Sequence, residues 1–434
     1  MNEELDSTYK KLKADILFVH APAFYDFREE SKVYFPFFST SGDIPITPLY
    51  DSFPLGFKTL QRFLTDREFD AKILNLTSLL LIYPGIDIES LLRDVDVKVF
   101  GIDLHWMVHV QGSLETASLI KRIHPCVPIL FGGISATYFA DELIRYPFVD
   151  FVMRGYDTHL PMAKLLEALK EGLALKAIPN LLWKDKQGNI IDNGLSHFPS
   201  NMLTGIDWSN MPGVSKKSLF PITDIVTVEN SGCIHKCGWC GGSGDAFKRI
   251  NRCSHTLVQK DMAQYEYEMK KIKEIPGNDT YNLYTCGSYN QSDDRLESIL
   301  SCISESNLKS IIYDQYHLTS DDILKSMVKA NDKTVINLSP QSHDLRISKL
   351  SGRGSYNMEE MERWIERALE FGIFEIDIWF FIGMPEQSEK SVLDTVDYCN
   401  KILNHFKGKR VIPYICPMIP FLDPGSTFFE NPGR

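Results

Sequence analysis

Three cysteines fall within eight residues in the stretch NSGCIHKCGWCGGSGDAF, which begins at Asn230: Cys233, Cys237 and Cys240. Thiolates at C-x3-C-x2-C spacing hold metal, and the arrangement narrows which metal. A structural zinc site takes four protein ligands, commonly as two spaced pairs. Here one compact cluster stands alone, and only Cys253 or His255 follows closely enough to complete such a site. The other arrangement is a [4Fe–4S] cluster held through three of its irons, the fourth left open for a ligand of its own. Unligated core cysteines would sit on an apolar periodic face, whereas glycine, lysine and histidine surround these three.

The elements around the triplet place it. Over the first ~180 residues, short runs rich in Val, Ile, Leu and Phe alternate with amphipathic segments. The runs are Ala14–Pro22, Ala71–Leu76, Val97–Leu104, Pro128–Gly133 and Asp150–Gly155, with helices expected over Leu55–Thr65, Leu114–Ile123 and Pro161–Glu171. Continuous apolar strands between helices predict an α/β fold with a doubly wound parallel sheet over residues 1–175. Residues 176–220 read as a linker with a small hairpin turning at Gln187–Gly188. Alternation restarts in ITDIVTVEN and continues through TYNLYTCG, KSIIYDQYH, TVINLSPQ, FEIDIWFFIGMP and VIPYICPMIP. With helices at 256–274, 293–305, 320–330, 357–371 and 388–406, residues 221–434 predict a (βα)6 partial TIM barrel. In parallel architectures, chemistry gathers where strands end and loops begin. The triplet sits just after the first barrel strand. The ending FLDPGSTFFENPGR has no closing helix and reads as an interruption, so a further C-terminal segment is expected.

Composition bounds the rest. The chain has 434 residues, 44% hydrophobic and 24% charged, which is the balance of a globular protein and not of a disordered one. A net charge of −11 argues against a general nucleic-acid or anionic-membrane surface. No apolar run is long enough to span a bilayer as a helix. Nine cysteines with no visible secretory leader fit a reducing cytoplasm.

GCIHKCGWC resembles the signature of the radical S-adenosylmethionine (SAM) superfamily, CxxxCxφC, with Trp239 at the aromatic position. The resemblance implies that Cys233, Cys237 and Cys240 are both metal ligands and catalytic. The open iron would chelate SAM, and an electron would cleave it to methionine and a 5′-deoxyadenosyl radical. It also implies cofactor contacts at Gly287 in YTCGSYN, at Ser342 in SPQSHD and at Gly383 in FFIGMPEQS. The chain departs from the pattern where YTCGSYN lacks paired glycines and a glutamate, where Gln341 replaces a glutamate, and where Arg353–Gly354 replaces Lys–Gly. Tyr289, His317 and Tyr414 are candidate pocket residues only through their places at strand ends.

The first domain is similar to the Rossmann-like cobalamin-binding domain that precedes some radical SAM cores. The likeness runs through SFPLGFKTLQRFL, VKVFGIDL, PILFGGISATYFADEL and VDFVMRGYDT. It implies cobalamin contacts at Pro54, Gly56, Gly132, Gly133 and Thr137, the paired glycines removing side chains where a flat nucleotide tail lies. The motif D-x-H-x-x-G, which would give cobalt a histidine, is missing after the first strand, where HAPAFYDFREESKVYF stands instead. In DLHWMVHVQG, Asp103 replaces a serine, and two readings of His105, Trp106 and His109 stay open: packing and polar rim, or a place beneath the corrin, Trp106 as a shield and His105 as a ligand or an uncoordinated neighbour.

Together these imply a cobalamin-dependent radical SAM methyltransferase that moves a methyl from SAM, via methylcobalamin, to an unactivated carbon of a small molecule. An unactivated carbon is too poor a nucleophile to attack SAM directly, whereas a radical can accept a methyl. Two alternatives stay open: oxidation, rearrangement or cyclisation without methylation, and a non-catalytic cobalamin- or metal-binding module. The implied partners are a small-molecule substrate and a flavodoxin- or ferredoxin-like electron donor, with neither nucleic acid nor membrane.

Overall fold

The computed structural model describes residues 12–22, 54–82, 86–203, 205–208, 224–418 and 422–433. The first sheet contains β1 (Lys13–His20), β2 (Ala71–Asn75), β3 (Asp96–Asp103), β4 (Ile129–Gly132), β5 (Phe151–Met153), β6 (Leu181–Lys184) and β7 (Ile190–Asp192), in the order β2-β1-β3-β4-β5-β6-β7. Its first five strands run parallel. Alternation explains their apolar sequences. Ile16, Phe18, Val99 and Leu130 pack with helices Leu55–Thr65 and His159–Glu171 on one face. Leu17, Val19, Phe100, Ile102 and Phe131 pack against helix Val110–Ile123 and its neighbours on the other. A strand covered on both faces has no polar side to show.

Two expectations change here. The hairpin assigned to the linker is the edge of this sheet, with β6 antiparallel to β5 and β7 antiparallel to β6. The helix expected from Leu114 starts at Val110, because Gly112 and Ser113 lie buried in its first turns. Neither is a strong helix former, so the pattern reads late. The MPGVSKK part of the linker and the loop after Pro22 lie outside the described residues.

A small second sheet bridges to the barrel. It joins β8 (Asn201–Met202), β10 (Asn230–Gly232) and β11 (Leu257–Lys260), after β9 (Asp224–Val228) has opened the barrel. The single strand expected in ITDIVTVEN is thus two. Glu229 still donates its N–H to Cys286, but Asn230 turns away to pair with Gln259. Likewise the helix expected over 256–274 is β11 followed by helix Met262–Lys273, which Asp261 caps through the Ala263 N–H.

The barrel continues through β12 (Asn282–Cys286), β13 (Ser310–Gln315), β14 (Thr334–Gln341), β15 (Glu375–Ile382) and β16 (Val411–Pro417), all parallel, in the order β16-β15-β14-β13-β12-β9. Ile336, Leu338, Ile376, Ile378 and Phe380 face the covering helices. Alternate residues therefore face inward. There Asp314 accepts from Tyr284 and Asn337, and Trp379 stacks on Tyr414 with ring centroids 4.5 Å apart.

The ending is folded. Residues 422–433 return to the cysteine loop with a one-turn helix, Thr427–Glu430. Phe428 N–H donates to Gly238 at 2.7 Å, Asp423 N–H donates to Trp239, and the Tyr138 hydroxyl of the first domain donates to Glu430 at 2.6 Å. Among the described residues no helix is long and apolar enough to cross a membrane.

Candidate functional site

The cysteine loop hangs over the barrel mouth because β10 leaves the barrel immediately before it. Cys233 and Cys237 are buried and Cys240 is half-buried. Each sulfur has an N–H donor: His235 to Cys233 at 3.3 Å, Gly242 to Cys240 at 3.3 Å, and the Arg353 Nε to Cys237 at 3.1 Å. Such donors are the surroundings of a thiolate that ligates metal. Burial, with the Cys237 thiol beside it, pushes the Cys233 thiol up to about 11, and burial with Asp423 nearby holds Cys240 well above the ordinary thiol range, so a positive partner is needed to make them thiolates.

The donor set also separates the two candidate metals. Zinc–sulfur bonds of about 2.3 Å in a tetrahedron bring thiolates within roughly 4 Å of one another. Among the described residues, no set of three drawn from Cys233, Cys237, Cys240, Cys253 and His255 has ligand atoms all within 4.8 Å of one another. Cys253 instead faces the His255 carbonyl at 3.6 Å. These ligand atoms are therefore not gathered as tightly as one zinc ion would hold them.

The other residues read from the barrel motifs ring this mouth. Gln341 Nε2 lies 3.8 Å from the Cys237 sulfur, and its backbone is left-handed (φ 68°) where β14 shifts register. Ser342 beside it is buried, its Oγ accepting the Asp344 N–H at 3.1 Å. Gly287 follows β12 (φ 117°), and Gly383 follows β15 with its N–H on Gln387 Oε1. Trp239 meets Phe381 edge-on at 5.9 Å, beside a small apolar cluster of Ile347, Met384 and Met418. Tyr289 stacks on Tyr316 at 3.8 Å, and Tyr316 lies 3.0 Å beneath the Arg353 guanidinium. Sequence reading missed Asn290, which accepts from the Ile234 N–H at 3.0 Å and the Cys233 thiol at 3.3 Å. Only its place in the loop after β12 marked it.

A cavity of about 430 Å³ separates the sheet from the barrel. Phe18, Leu60, Leu130, Met153 and Met162 give it an apolar floor. Pro54, Gly56, Gly132, Gly133 and His105 also line it. The two adjacent glycines do different work. A Cβ on Gly132 would find nothing nearer than Met153 O at 3.8 Å, so this glycine keeps cavity space open. Gly133 has φ 113°, and a Cβ there would strike Leu104 O at 2.7 Å, so this one is demanded by the turn itself. Thr137 does not line the cavity. Its hydroxyl donates to Gly133 O at 2.9 Å and accepts from Gly155 N–H at 3.0 Å, clamping the turn from behind.

Of the two readings left open for Trp106 and His109, packing fits better, since neither lines the cavity. His109 is turned into the core, where burial and the neighbouring imidazoles push it down to about 2. What the sequence did not reveal is Asp103 Oδ2, bonded to His20 Nδ1 at 2.7 Å and to His105 Nδ1 at 3.0 Å. Burial acts to raise that carboxyl, yet the two imidazoles hold it well below the usual range. The second domain contributes Val226, Val228, Lys260 and Gly242 to the same cavity. Gly242 is the residue whose N–H meets the Cys240 sulfur, so one residue touches both sites.

Residues 44–163 match the family model of the B12 binding domain, and residues 230–399 match that of the radical SAM superfamily. Among solved structures, the radical SAM methyltransferase TsrM from Kitasatospora setae, with tryptophan substrate and a SAM analog bound, superposes with a TM-score of 0.66. The match is at 15% identity, over 93% of this chain and 73% of that one. The same enzyme with cobalamin and a [4Fe–4S] cluster gives 0.64 over 93% and 72%, at 15% identity. OxsB, a cobalamin-dependent SAM radical enzyme with aqua-cobalamin and SAM bound, gives 0.58 at 12% identity, over 90% of this chain and 52% of its own. At these identities the likeness is one of fold. No curated protein matches the chain in sequence.

Proposed function

Since a B12 binding domain ahead of a radical SAM core makes this chain a cobalamin-dependent radical SAM enzyme, we propose that it transfers a methyl group from SAM to an unactivated carbon of a small molecule. The observation that supports this reading is the shared wall. Gly242 contacts Cys240 and lines the cavity of the first domain, so a group carried there is separated from the cluster site by the width of one residue. When bound, the cluster supplies the electron that cleaves SAM, and the corrin supplies a carrier for the methyl group.

The chain's residues divide the remaining work. Cys233, Cys237 and Cys240 hold the cluster, and Arg353 and Gln341 direct N–H groups at Cys237. Trp239, Gly287, Ser342 and Gly383 form the SAM side of the barrel mouth. Pro54, Gly56, Gly132, Gly133 and His105 form the wall against cobalamin, with Thr137 acting through Gly133. Phe247 and Lys260 line the cavity from the barrel side. TsrM is a methyltransferase with bound tryptophan, and it supports the reaction class without indicating the substrate here. We place the enzyme in the cytoplasm, with a flavodoxin- or ferredoxin-like protein as electron donor.

Anaerobic reconstitution with iron, sulfide and cobalamin, followed by assay of both SAM-derived products, tests this. Methyl transfer yields S-adenosylhomocysteine together with 5′-deoxyadenosine. Formation of 5′-deoxyadenosine alone would replace it with a non-methylating radical reaction.

A further inference from the structure

Among the described residues, His20, Asp103 and His105 are the one group of three potential metal-ligating side chains whose donor atoms all lie within 4.8 Å of one another. Their hydrogen bonds decide what they can bind. A single carboxylate oxygen, Asp103 Oδ2, meets Nδ1 of both rings. An ionised carboxylate only accepts, so both Nδ1 atoms carry hydrogen and the His105 ring has its lone pair at Nε2. The side chain of His20 is fully buried, whereas that of His105 is 34% exposed and lines the cavity. His109 packs behind, its ring 4.6 Å from that of His105, and limits how far His105 can swing.

A free divalent ion would need all three residues at once, and all three are engaged with one another through Asp103 Oδ2. A metal that arrives with its four equatorial positions filled needs only one nitrogen, and cobalt in a corrin is such a metal. We propose that His105 Nε2 is the axial protein ligand to cobalt in bound cobalamin, with Asp103 and His20 as positioning residues that fix its tautomer and aim. This rests on reading the cavity as the cobalamin site. The bond forms by donation of the Nε2 lone pair and displaces water or the cofactor's own base from that face. Cobalt keeps its oxidation state, and no proton leaves because Nδ1–H stays on Asp103. The ligand comes from the loop after β3, and the histidine that ends β1 backs it through the carboxylate instead of reaching the metal.

The test is electron paramagnetic resonance of the protein loaded with cobalamin and reduced to the cobalt(II) state. Protein made with ordinary histidine shows a nitrogen triplet on the cobalt lines, and protein labelled with heavy nitrogen in histidine alone shows a doublet. His105→Ala loses the protein-derived splitting. His20→Ala keeps it, and Asp103→Asn keeps it with a changed coupling. A spectrum indifferent to the histidine label, or splitting that persists in His105→Ala, overturns the assignment. The label comparison uses the unaltered protein, so it stands even if a variant fails to fold. Corrin bound without histidine coupling sinks only this inference, whereas failure to bind corrin sinks the reading of the cavity as well.

Discussion

The cysteine loop and the histidine–aspartate cluster lie on either side of a shared wall at Gly242 but are assembled in opposite ways. The loop carries its three cysteines within eight residues, and the rest of the molecule only restrains them. Arg353 reaches in from 116 residues away and Asp423 from 182, yet neither is a ligand. The cluster has no local content. His20 and Asp103 are 83 residues apart, and they meet because β1 and β3 are parallel neighbours, paired up to Val19 and Ile102. The difference teaches that a contiguous site tolerates some movement of its surroundings, whereas a dispersed one depends on strand order and on each turn at the sheet edge.

The largest expected effect lies in the loop's own ligands. Cys233→Ala, Cys237→Ala and Cys240→Ala each reduce 5′-deoxyadenosine formation to background, while far-ultraviolet circular dichroism stays that of the parent. Retained SAM cleavage in all three would remove the loop from the chemistry and the comparison with it.

The paired glycines sharpen the other half. Gly133→Val forces a β-branched residue into a positive-φ turn against Leu104, and a loss of about 3 kcal/mol or more is expected in urea unfolding. Gly132→Val meets no such obstacle, so stability changes by roughly 1 kcal/mol or less while corrin retention falls on the order of tenfold. Equal loss of stability in both variants would show that the cavity wall and the turn are not separable.

The smallest effect concerns the returning C-terminal segment. Asp423 Oδ2 accepts the Gly241 N–H at 2.8 Å. Asp423→Ala leaves that donor without its partner and is expected to cost about 1 kcal/mol, read as a few degrees in Tm, with the cysteines still competent to take up iron. Loss of iron uptake in this variant would mean that the loop depends on its surroundings as heavily as the cluster does.

Much of the fold was legible because local patterning encodes faces. Strand β14 and helix Leu55–Thr65 stand where apolar periodicity and their flanking residues place them. The errors fall where a short segment changes partner. LVQK reads as the start of a helix but pairs with β10 and β8, and ITDIVTVEN is broken after Glu229, where Asn230 leaves the barrel to pair with Gln259. Thr137 read as a cofactor contact since its motif places it near the glycines, but only packing shows its hydroxyl turned to the backbone behind them.

By itself the amino-acid order determined the two α/β units, the cysteine spacing and the glycines at the edge of the first sheet. These rest on the period of side chains along a strand or helix and on what a residue type allows. Only the tertiary structure decided that His20 shares a carboxylate with His105, that the hairpin belongs to the first sheet, and that Gly242 is a wall common to both sites. Each of these depends on which strands become neighbours, and that is settled by burial summed over the whole chain, not by any window of it.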